Sequence, residues 1–265
     1  MPEPHIPDGY RLLAVDAVAS TNDEAKQLGM DGAPARTVVW ARSQTSGRGR
    51  RGRTWVSPPG NLFTSVLLRP QCAPVVAAQV SFVASLAIFD MVTKALGEAD
   101  KVLCKWPNDV LVDGRKISGI LLESASGTSP TGASVIDWLV LGGGVNVEHH
   151  PDIQGPQGST SLLAAGALDY DLNTTLSDYL AALDIWLEVW ETKGFALIRE
   201  AWLARTFALG YSIQANLPRE SLHGTFSGID DDGALILMLH NGDRRLITAG
   251  DVFFGQEGDS NAAGN

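Results

Sequence analysis

The first 150 residues alternate between short apolar runs and segments with helical spacing of hydrophobic residues. Runs rich in apolar or β-branched residues predict strands, at Tyr10–Val15, Thr37–Ala41, Leu62–Leu68, Val102–Lys105 and Val135–Leu141. Thr21 and Glu24 match a capping box, which predicts a helix from there to about Met30. Val75–Leu96 has the length and apolar content of a mostly buried helix that ends at Gly97.

The clearest turn signal is Asp113-Gly114, which stands between two apolar runs and predicts a two-residue β-hairpin. Such a turn pairs Leu111 with Lys116 and Asp109 with Ser118. Because side chains alternate between the two faces of a strand, Asp109 and Lys116 are predicted to address one site. Taken alone, Lys116 fits a surface residue and a cation aimed at an anion equally well.

The C-terminal third changes from helical to β-type patterning. Apolar positions in Thr175–Glu191 follow helical spacing, and we interpret its aromatic residues as core. Near Leu209-Gly210 the pattern gives way to short β-type runs separated by Gly and Asp turns. These runs predict a small antiparallel barrel of about 55 residues, and hence two domains, 1–208 and 209–265.

Charge is distributed unevenly along the chain. The net charge is −10, from 20 Lys and Arg against 30 Asp and Glu, so the field of the whole molecule repels nucleic acid. Four cations lie within six positions, Arg48, Arg50, Arg51 and Arg53, and the rest of the chain carries −14. The interleaved glycines make an anion-binding loop at least as plausible as a solvated charge run.

Composition narrows the class of protein. With 45% hydrophobic and 19% charged residues the chain can bury a core, which excludes a disordered tail. Cys72 and Cys104 stand far apart without a CxxC partner, which argues against a disulfide framework or a zinc knuckle. The N-terminus lacks signal-peptide regions, and no apolar run is judged to reach the ~18 residues of a membrane span. We therefore expect a cytoplasmic protein without a membrane partner.

Several chemical motifs can be weighed and set aside. Gly47–Gly52 matches GxGxxG, but Pro58 and Pro59 follow where a Rossmann turn requires a helix. No GxxxxGK[ST] or GxSxG occurs, and the five histidines lack HxxxH or HExxH spacing, so no metal site is predicted. What remains is a flexible Gly/Arg loop that can wrap a phosphate or an adenylate with bidentate guanidinium groups.

Four motifs together resemble the biotin protein ligases, in the order and spacing of that family. They are Ser20-Thr21-Asn22, Gln44–Arg53, Lys105–Asp109 with Lys116–Leu121, and Gly142–Val147. The resemblance implies an α+β fold, with a mixed, largely antiparallel sheet flanked by helices as in class II synthetase-like catalytic domains. A small C-terminal SH3-like β-barrel would follow, in agreement with the strand pattern.

The resemblance also implies a two-step reaction. Biotin and MgATP would give biotinyl-5′-AMP and pyrophosphate, and the adenylate would acylate one lysine of a biotin carboxyl carrier domain. A lipoate or octanoate ligase or transferase of related fold is the alternative. A non-catalytic RNA-binding protein that uses the Gly/Arg loop is a third, weaker possibility because the chain has only one such loop. The oligomeric state stays open.

Residue roles follow from the same resemblance. Lys116 and Arg48 would be catalytic, with Arg48 and Arg50 on the biotin carboxylate and α-phosphate, whose mutual repulsion must be neutralised. Lys116 would stand on the same phosphate. Asn108 and Asp109 would assist at the triphosphate.

The remaining implied contacts line the biotin and adenine sites. The polar end of biotin would meet Ser20, Thr21, Asn22 and Gln44. Trp55 could stack on adenine, and Gly142 and Gly144 would let the ligand approach the backbone. Further substrate contacts would be Gly47, Gly49, Gly119 and Asn146.

Two departures from the family pattern matter. Fewer than twenty residues precede Ser20, which leaves no room for the DNA-binding domain of relatives that also repress transcription. We therefore expect a single-function ligase with no DNA partner. Many relatives carry one larger residue within the run Gly142–Gly144, and the effect on the pocket stays open.

Overall fold

The computed structural model describes residues 3–128, 131–152, 158–167, 170–217 and 220–254. The chain divides into two compact units, Met1–Phe207 and Ala208–Asn265, named here the N-terminal and C-terminal units. The predicted loop from His149 to Ser159 is therefore described in part, with residues 153–157 outside these ranges. The final residues of the predicted second domain, from 255 onward, also lie outside them.

Within the described part of the N-terminal unit, seven strands form one sheet in the order β1-β2-β3-β7-β6-β5-β4. The strands are β1 Arg11–Val18, β2 Thr37–Gln44, β3 Leu62–Leu68, β4 Val102–Lys105, β5 Asp109–Val112, β6 Arg115–Thr128 and β7 Ser134–Val145. β1 and β2 run parallel, and the other neighbouring pairs are antiparallel. This is the mixed, largely antiparallel sheet implied by the family resemblance.

Helices cover both faces of this sheet. They are α1 Thr21–Met30, α2 Pro74–Ala78, α3 Val80–Leu96, α4 Leu172–Lys193 and α5 Phe195–Leu203. α1 packs on β2, β3 and β7 through a buried apolar core formed by Ala25, Val39, Leu67, Trp138 and Val140. α4 packs on α3 and lies on the opposite face, because Tyr179 of α4 faces Gly143 while Asn22 of α1 faces Gly142.

The start of α1 differs from the predicted capping box. Ser20, not Thr21, is the N-cap residue, and its side chain makes no capping hydrogen bond. The backbone N–H of Thr21 instead donates to Gln44 Oε1 at 2.8 Å. Gln44 of β2 therefore accepts from the Thr21 N–H, which the predicted capping box would have paired with the side chain of Glu24.

α2 and α3 together form one apolar segment of 23 residues, Pro74–Leu96. Its length and composition match a membrane span, so the sequence-based judgement that no run reaches this length was wrong. Most of this segment is buried within the fold, as expected of a core helix. The predicted stop is correct, because Gly97 caps α3 in the left-handed conformation at φ 71°.

The β5–β6 hairpin contains a register shift that the turn motif did not predict. Leu111 pairs with Lys116 as expected, but Asp109 pairs with Gly119 instead of Ser118. The irregularity falls between Val110 and Leu111, where β6 carries one extra residue. The pairing of Asp109 with Ser118 was therefore wrong.

In the C-terminal unit, five strands among the described residues form an antiparallel sheet in the order β11-β10-β9-β8-β12. They are β8 Ser212–Asn216, β9 Ser221–Ile229, β10 Leu235–Leu239, β11 Arg244–Ile247 and β12 Asp251–Phe254. The predicted runs correspond to β9, β10 and β11. Their alternating burial places Phe226, Leu235, Leu237 and Ile247 in a small core of this unit.

Candidate active site

Glycines of β6 and β7 form the floor of the site. Gly119 and Gly144 are cross-strand partners, and a Cβ on Gly144 would lie 2.6 Å from Trp55 Nε1. A Cβ on Gly142 would collide with Asn22 Oδ1. Trp55 and Asn22 therefore lie over Gly144 and Gly142, the two glycines at which the family resemblance implies a close approach of the ligand.

Gly143, which lies between Gly142 and Gly144, faces the opposite side of the sheet. A Cβ on Gly143 would lie 3.4 Å from Thr64 Oγ1 and 3.4 Å from Tyr179 Oη, on the α4 side of the sheet. A larger residue at this one position would therefore change helix packing and leave the floor of the site unchanged.

A hydrogen-bonded polar network lies at the N-terminus of α1. Gln44 Oε1 accepts from the backbone N–H of Thr21 at 2.8 Å and lies 3.2 Å from Thr21 Oγ1. Gln44 Nε2 donates to Ser57 Oγ at 2.9 Å. Ser65 Oγ donates to Asn22 Oδ1 at 2.6 Å and lies 2.8 Å from Thr21 Oγ1. The structure thus brings the predicted biotin contacts together and fixes their orientation, while Ser20 is buried beside them.

The Gly/Arg segment folds as a short hairpin, which the sequence pattern did not predict. Trp55 N–H donates to Gly47 O at 2.9 Å, and Gly49 N–H donates to Arg53 O at 2.7 Å. A single 3-10 turn, Arg50–Gly52, closes its tip. We name residues 47–55 the Gly/Arg hairpin. Its pairing was hidden because alternating Gly and Arg carry no hydrophobic period.

Two arginines of the Gly/Arg hairpin contact different elements. Arg48 makes a bidentate ion pair with Asp23, at 2.8 and 2.7 Å, and lies 3.1 Å from Glu123 Oε2. Arg50 Nη1 donates to Asn108 Oδ1 at 3.1 Å. The first arginine is therefore bound to carboxylates of this chain, and the second reaches the turn before β5.

Lys116 and Asp109 meet at the glycine floor, as predicted from the hairpin. Lys116 Nζ lies 2.6 Å from Asp109 Oδ1, and the two side chains are 27% and 17% exposed. Lys116 Nζ also lies 5.4 Å from the centroid of the Trp55 ring. Trp55 Nε1 is buried and makes no hydrogen bond within the described residues. Its indole thus covers Gly119 and Gly144 with an unused donor.

Asn146 occupies a supporting position. Its side chain is buried, and Nδ2 donates to Thr160 O at 2.9 Å. Thr160 N–H donates in turn to Lys116 O, and Lys116 N–H donates to Gly158 O, both at 2.9 Å. Asn146 therefore anchors the segment that runs beside Lys116, a structural contact that its sequence motif alone did not indicate.

Two carboxylates next to this polar network, Asp23 and Glu123, have lowered pKa values. Partial burial raises the pKa of Asp23, but hydrogen bonds from Arg48 and Lys26 outweigh burial and hold this pKa below its usual value. Burial likewise acts against hydrogen bonds from Asn22 and Lys26 at Glu123, whose pKa is lowered overall. Both carboxylates are therefore stabilised in the charged form.

The described residues offer neither a metal-binding cluster nor a reactive thiol. They contain no group of three or more His, Cys, Asp and Glu side chains able to hold a metal ion. Cys104 is buried, and burial raises its pKa to about 12, so this thiol is a poor nucleophile.

Comparison with known proteins identifies the family to which this chain belongs. Residues 14–137 match the Biotin/lipoate A/B protein ligase family, and residues 208–255 match the Biotin protein ligase C terminal domain. The chain is 45% identical over 240 residues to the biotin–[acetyl-CoA-carboxylase] ligase of Paracoccus denitrificans, covering 89% of this chain and 97% of that protein. This chain belongs to the biotin protein ligase family.

Other members of the biotin protein ligase family agree with this assignment. A biotin–[acetyl-CoA-carboxylase] ligase of Mycobacterium tuberculosis is 35% identical over 251 residues, which cover 92% of this chain and 89% of that protein. A solved biotin protein ligase from Aquifex aeolicus, in complex with biotin and ATP, has the same fold with a TM-score of 0.76. It is 24% identical and covers 92% of this chain and 99% of its own. The fold class implied by the sequence motifs is thus confirmed.

The sequence analysis of this biotin protein ligase did not identify several residues that contact the candidate site residues. They are Asp23, Lys26, Ser57, Ser65 and Glu123. Asp23 and Lys26 are three positions apart on α1, so their pairing could have been found from helical spacing. Nothing in the sequence links either residue to Glu123, which belongs to β6 about a hundred positions later.

Proposed function

We propose that this chain activates biotin with ATP to biotinyl-5′-AMP and transfers biotin to a lysine of a biotin carboxyl carrier domain. The observation that carries the proposal is the placement of Lys116 and Asp109 at 2.6 Å beside the Trp55 ring. This placement brings a cation and an aromatic ring together, the two groups that suit the phosphate and the base of an adenylate.

In the first step, a carboxylate oxygen of biotin attacks the α-phosphorus of ATP, and pyrophosphate leaves. Two anions must approach each other, so cations placed at the phosphate lower the barrier. Lys116 takes this role, and Asp109 orients its ammonium group. Arg48 and Arg50 lie on the hairpin that borders the site, and Mg²⁺ enters with ATP as part of the substrate complex.

Biotin is held at the polar network of α1. Thr21, Asn22 and Gln44 supply hydroxyl and amide groups whose orientations are fixed by Ser57 and Ser65. Fixed donors and acceptors favour a polar ring over water because little ordering remains to be done on binding. Gly142 allows Asn22 to sit directly on β7.

In the second step, the amine of the carrier lysine attacks the acyl carbonyl of biotinyl-5′-AMP. The C–N bond forms, the bond between the acyl carbon and the phosphate oxygen breaks, AMP leaves with that electron pair, and the lysine nitrogen releases one proton to solvent. We infer a cytoplasmic enzyme whose macromolecular partner is the carrier domain. A net charge of −10 disfavours DNA as a second partner, and a gel shift with duplex DNA at low salt should show no retention.

The test compares biotin with lipoate, the substrate of the alternative reading. Purified protein is incubated with an apo biotin carrier domain or an apo lipoyl domain, each acid, and ATP, and acylation is measured by mass spectrometry. We expect an added biotinyl group on the biotin carrier domain that depends on ATP. Acylation by lipoate of a lipoyl domain, with no biotin transfer, would contradict the proposal.

A further inference from the structure

Asn61 stands directly before β3, and its side chain is buried at 1% exposure. Its Oδ1 accepts from three consecutive backbone N–H groups, those of Val147, Glu148 and His149, at 2.9, 3.1 and 3.0 Å. Its Nδ2 donates to His149 O at 2.9 Å. One buried amide therefore fixes residues 147–149, named here the exit segment because the chain leaves β7 through it.

The exit segment needs this amide because the strand has already ended. β7 stops at Val145, so the N–H groups of the exit segment have no continuing strand ladder to join. Gly60 O accepts from Glu148 N–H at 3.1 Å, and Asn61 supplies an acceptor for all three donors. A backbone N–H that loses its acceptor away from water is costly, so removal of the amide should let the exit segment move.

The exit segment in turn holds residues 158–163, named here the returning segment. Leu162 N–H donates to Asn146 O at 3.0 Å, and Leu163 N–H donates to Val147 O at 2.9 Å. Ser161 Oγ donates to Glu148 O at 3.3 Å. The returning segment is therefore hydrogen-bonded to Asn146 and to the exit segment, and its position depends on theirs.

The returning segment takes the place of β7 beside Lys116. Pairing of β6 with β7 begins at Ser118 and Val145, so β7 does not reach Lys116. Ser159 instead forms a parallel bridge with Lys116. Lys116 N–H donates to Gly158 O and Lys116 O accepts from the next residue of the returning segment, Thr160, both at 2.9 Å. One side of the Lys116 backbone is therefore held by a segment outside the sheet.

We propose that Asn61 is a positioning residue for Lys116. Within the described residues its side chain bonds only to the exit segment, and it acts on Lys116 through the exit and returning segments. The inference rests on the proposed function, because the position of Lys116 matters for the phosphate that it is proposed to stabilise. Small displacements of such a group slow a reaction strongly.

The experiment measures the hold on Lys116 and its consequence separately. Hydrogen exchange of the Lys116 and Thr160 backbone N–H groups, followed by NMR in the ligand-free protein, reports whether the returning segment stays bonded to β6. Single-turnover formation of biotinyl-5′-AMP from biotin and ATP reports the reaction. Both are measured for wild type, Asn61→Ala and Asn61→Asp, and Asn61→Asp keeps an oxygen that can accept from the exit segment.

Asp171→Ala is the matched control. Asp171 is the N-cap of α4, and its side chain accepts from Thr174 N–H at 2.8 Å. The variant therefore also removes a side-chain oxygen that binds backbone N–H groups, but at a helix on the opposite face of the sheet. Thermal melting of each variant shows whether the compared proteins are folded.

We expect Asn61→Ala to exchange the Lys116 and Thr160 N–H groups about tenfold faster and to form biotinyl-5′-AMP about tenfold more slowly. Asn61→Asp should change both rates in the same direction and by less, and Asp171→Ala should match wild type in both. In a Lys116→Ala background, Asn61→Ala should slow the reaction by less than about twofold further, because the group that it positions is absent.

Wild-type exchange rates in Asn61→Ala would overturn the inference, as would an equal slowing of the reaction with and without Lys116, which would show that Asn61 acts elsewhere. If Asn61→Ala does not fold, Asn61→Asp decides, and exchange of its Lys116 N–H at the wild-type rate would overturn the inference. Wild-type protein that forms no biotinyl-5′-AMP would contradict the proposed function itself. The exchange rates do not depend on that reaction, so the two failures are distinguishable.

Discussion

At the scale of single residues, the alternation of Gly142, Gly143 and Gly144 divides two tasks between the faces of β7. Gly142 and Gly144 let Asn22 and Trp55 reach the backbone on the site face, whereas Gly143 admits Tyr179 of α4 on the other face. Because successive strand residues point to opposite faces of the sheet, Gly142 and Gly144 make their contacts on the site face and Gly143 makes its contacts on the α4 face.

A pair of substitutions tests this division. Gly144→Ala places a Cβ 2.6 Å from the rigid indole of Trp55 and must displace it, whereas Gly143→Ala meets only atoms at 3.4 Å. We expect Gly144→Ala to lower kcat/KM for adenylation by about 10²-fold through misplacement of Trp55, and Gly143→Ala to stay within about threefold of wild type. Equal activity of the two variants would contradict the division.

Residue-scale prediction from sequence succeeded where the contact is local. Asp109 and Lys116 are seven positions apart around one tight turn, and their contact is kept despite a bulge that changed the predicted register. The Arg48 contacts with Asp23 and Glu123 could not be predicted, because they require the relative placement of α1, β6 and the Gly/Arg hairpin.

At the scale of elements, the Gly/Arg hairpin shows how glycine shapes a charged segment. A Cβ on Gly47 would lie 2.5 Å from both Ser57 Oγ and Trp55 O, whereas the closest atom to a Cβ on Gly49 is 3.6 Å away. The first glycine is required by close backbone packing. The second has ordinary space around it.

Gly47→Ala and Gly49→Ala therefore have different expected effects on stability. We expect Gly47→Ala to lower the free energy of unfolding by about 1–3 kcal/mol, since a backbone oxygen must move to admit the methyl group. Gly49→Ala should change it by less than about 1 kcal/mol and in the stabilising direction. Urea denaturation measures both, and a Gly49→Ala loss as large as that of Gly47→Ala would refute the packing argument.

The lowered pKa values of Asp23 and Glu123 give a further expectation at this scale. A carboxyl that is more acidic in the folded protein stabilises it above the ordinary pKa, here 3.8 and 4.5, and that stabilisation is lost as pH falls through the folded value. The double variant Asp23→Asn/Glu123→Gln should lose less stability than wild type between pH 7 and pH 3. The expected difference is below about 1 kcal/mol because the groups are partly exposed.

Thermal melting at a series of pH values measures this difference. Glu24→Gln is the control, because it removes from α1 a carboxylate that makes no ion pair within the described residues. A double variant whose melting temperature falls with acid as steeply as that of wild type would contradict the argument.

Element prediction succeeded for segments with a strong hydrophobic period. β3 was predicted at its observed bounds and α3 ended where expected, because buried apolar positions dominate both segments. α1 also ended where expected, although Ala25 is its one buried apolar residue and its signal was the pattern of Thr21 and Glu24. The Gly/Arg hairpin and strands β8 and β12 were missed. Backbone pairing defines the hairpin, and short strands bordered by polar residues carry little periodic signal.

At the scale of the whole molecule, the family assignment and the charge distribution support one account. An acidic chain with a net charge of −10 concentrates four arginines in one hairpin, next to the residues at which the proposed reaction brings two anions together. The family motifs in the sequence predicted the N-terminal fold, whereas the ion pairs of Arg48 with Asp23 and Glu123 became visible only once α1, β6 and the Gly/Arg hairpin were placed together.

Lys116 is proposed to stabilise the phosphate during biotin activation. The most direct measurement is single-turnover formation of biotinyl-5′-AMP from biotin and ATP by wild type, Lys116→Ala and Lys101→Ala. Lys101 is 40% exposed and paired with Glu98, so its removal controls for the loss of one paired lysine. We expect Lys116→Ala to be slower by about 10²–10³-fold and Lys101→Ala to match wild type, whereas near-wild-type formation by Lys116→Ala would contradict the account.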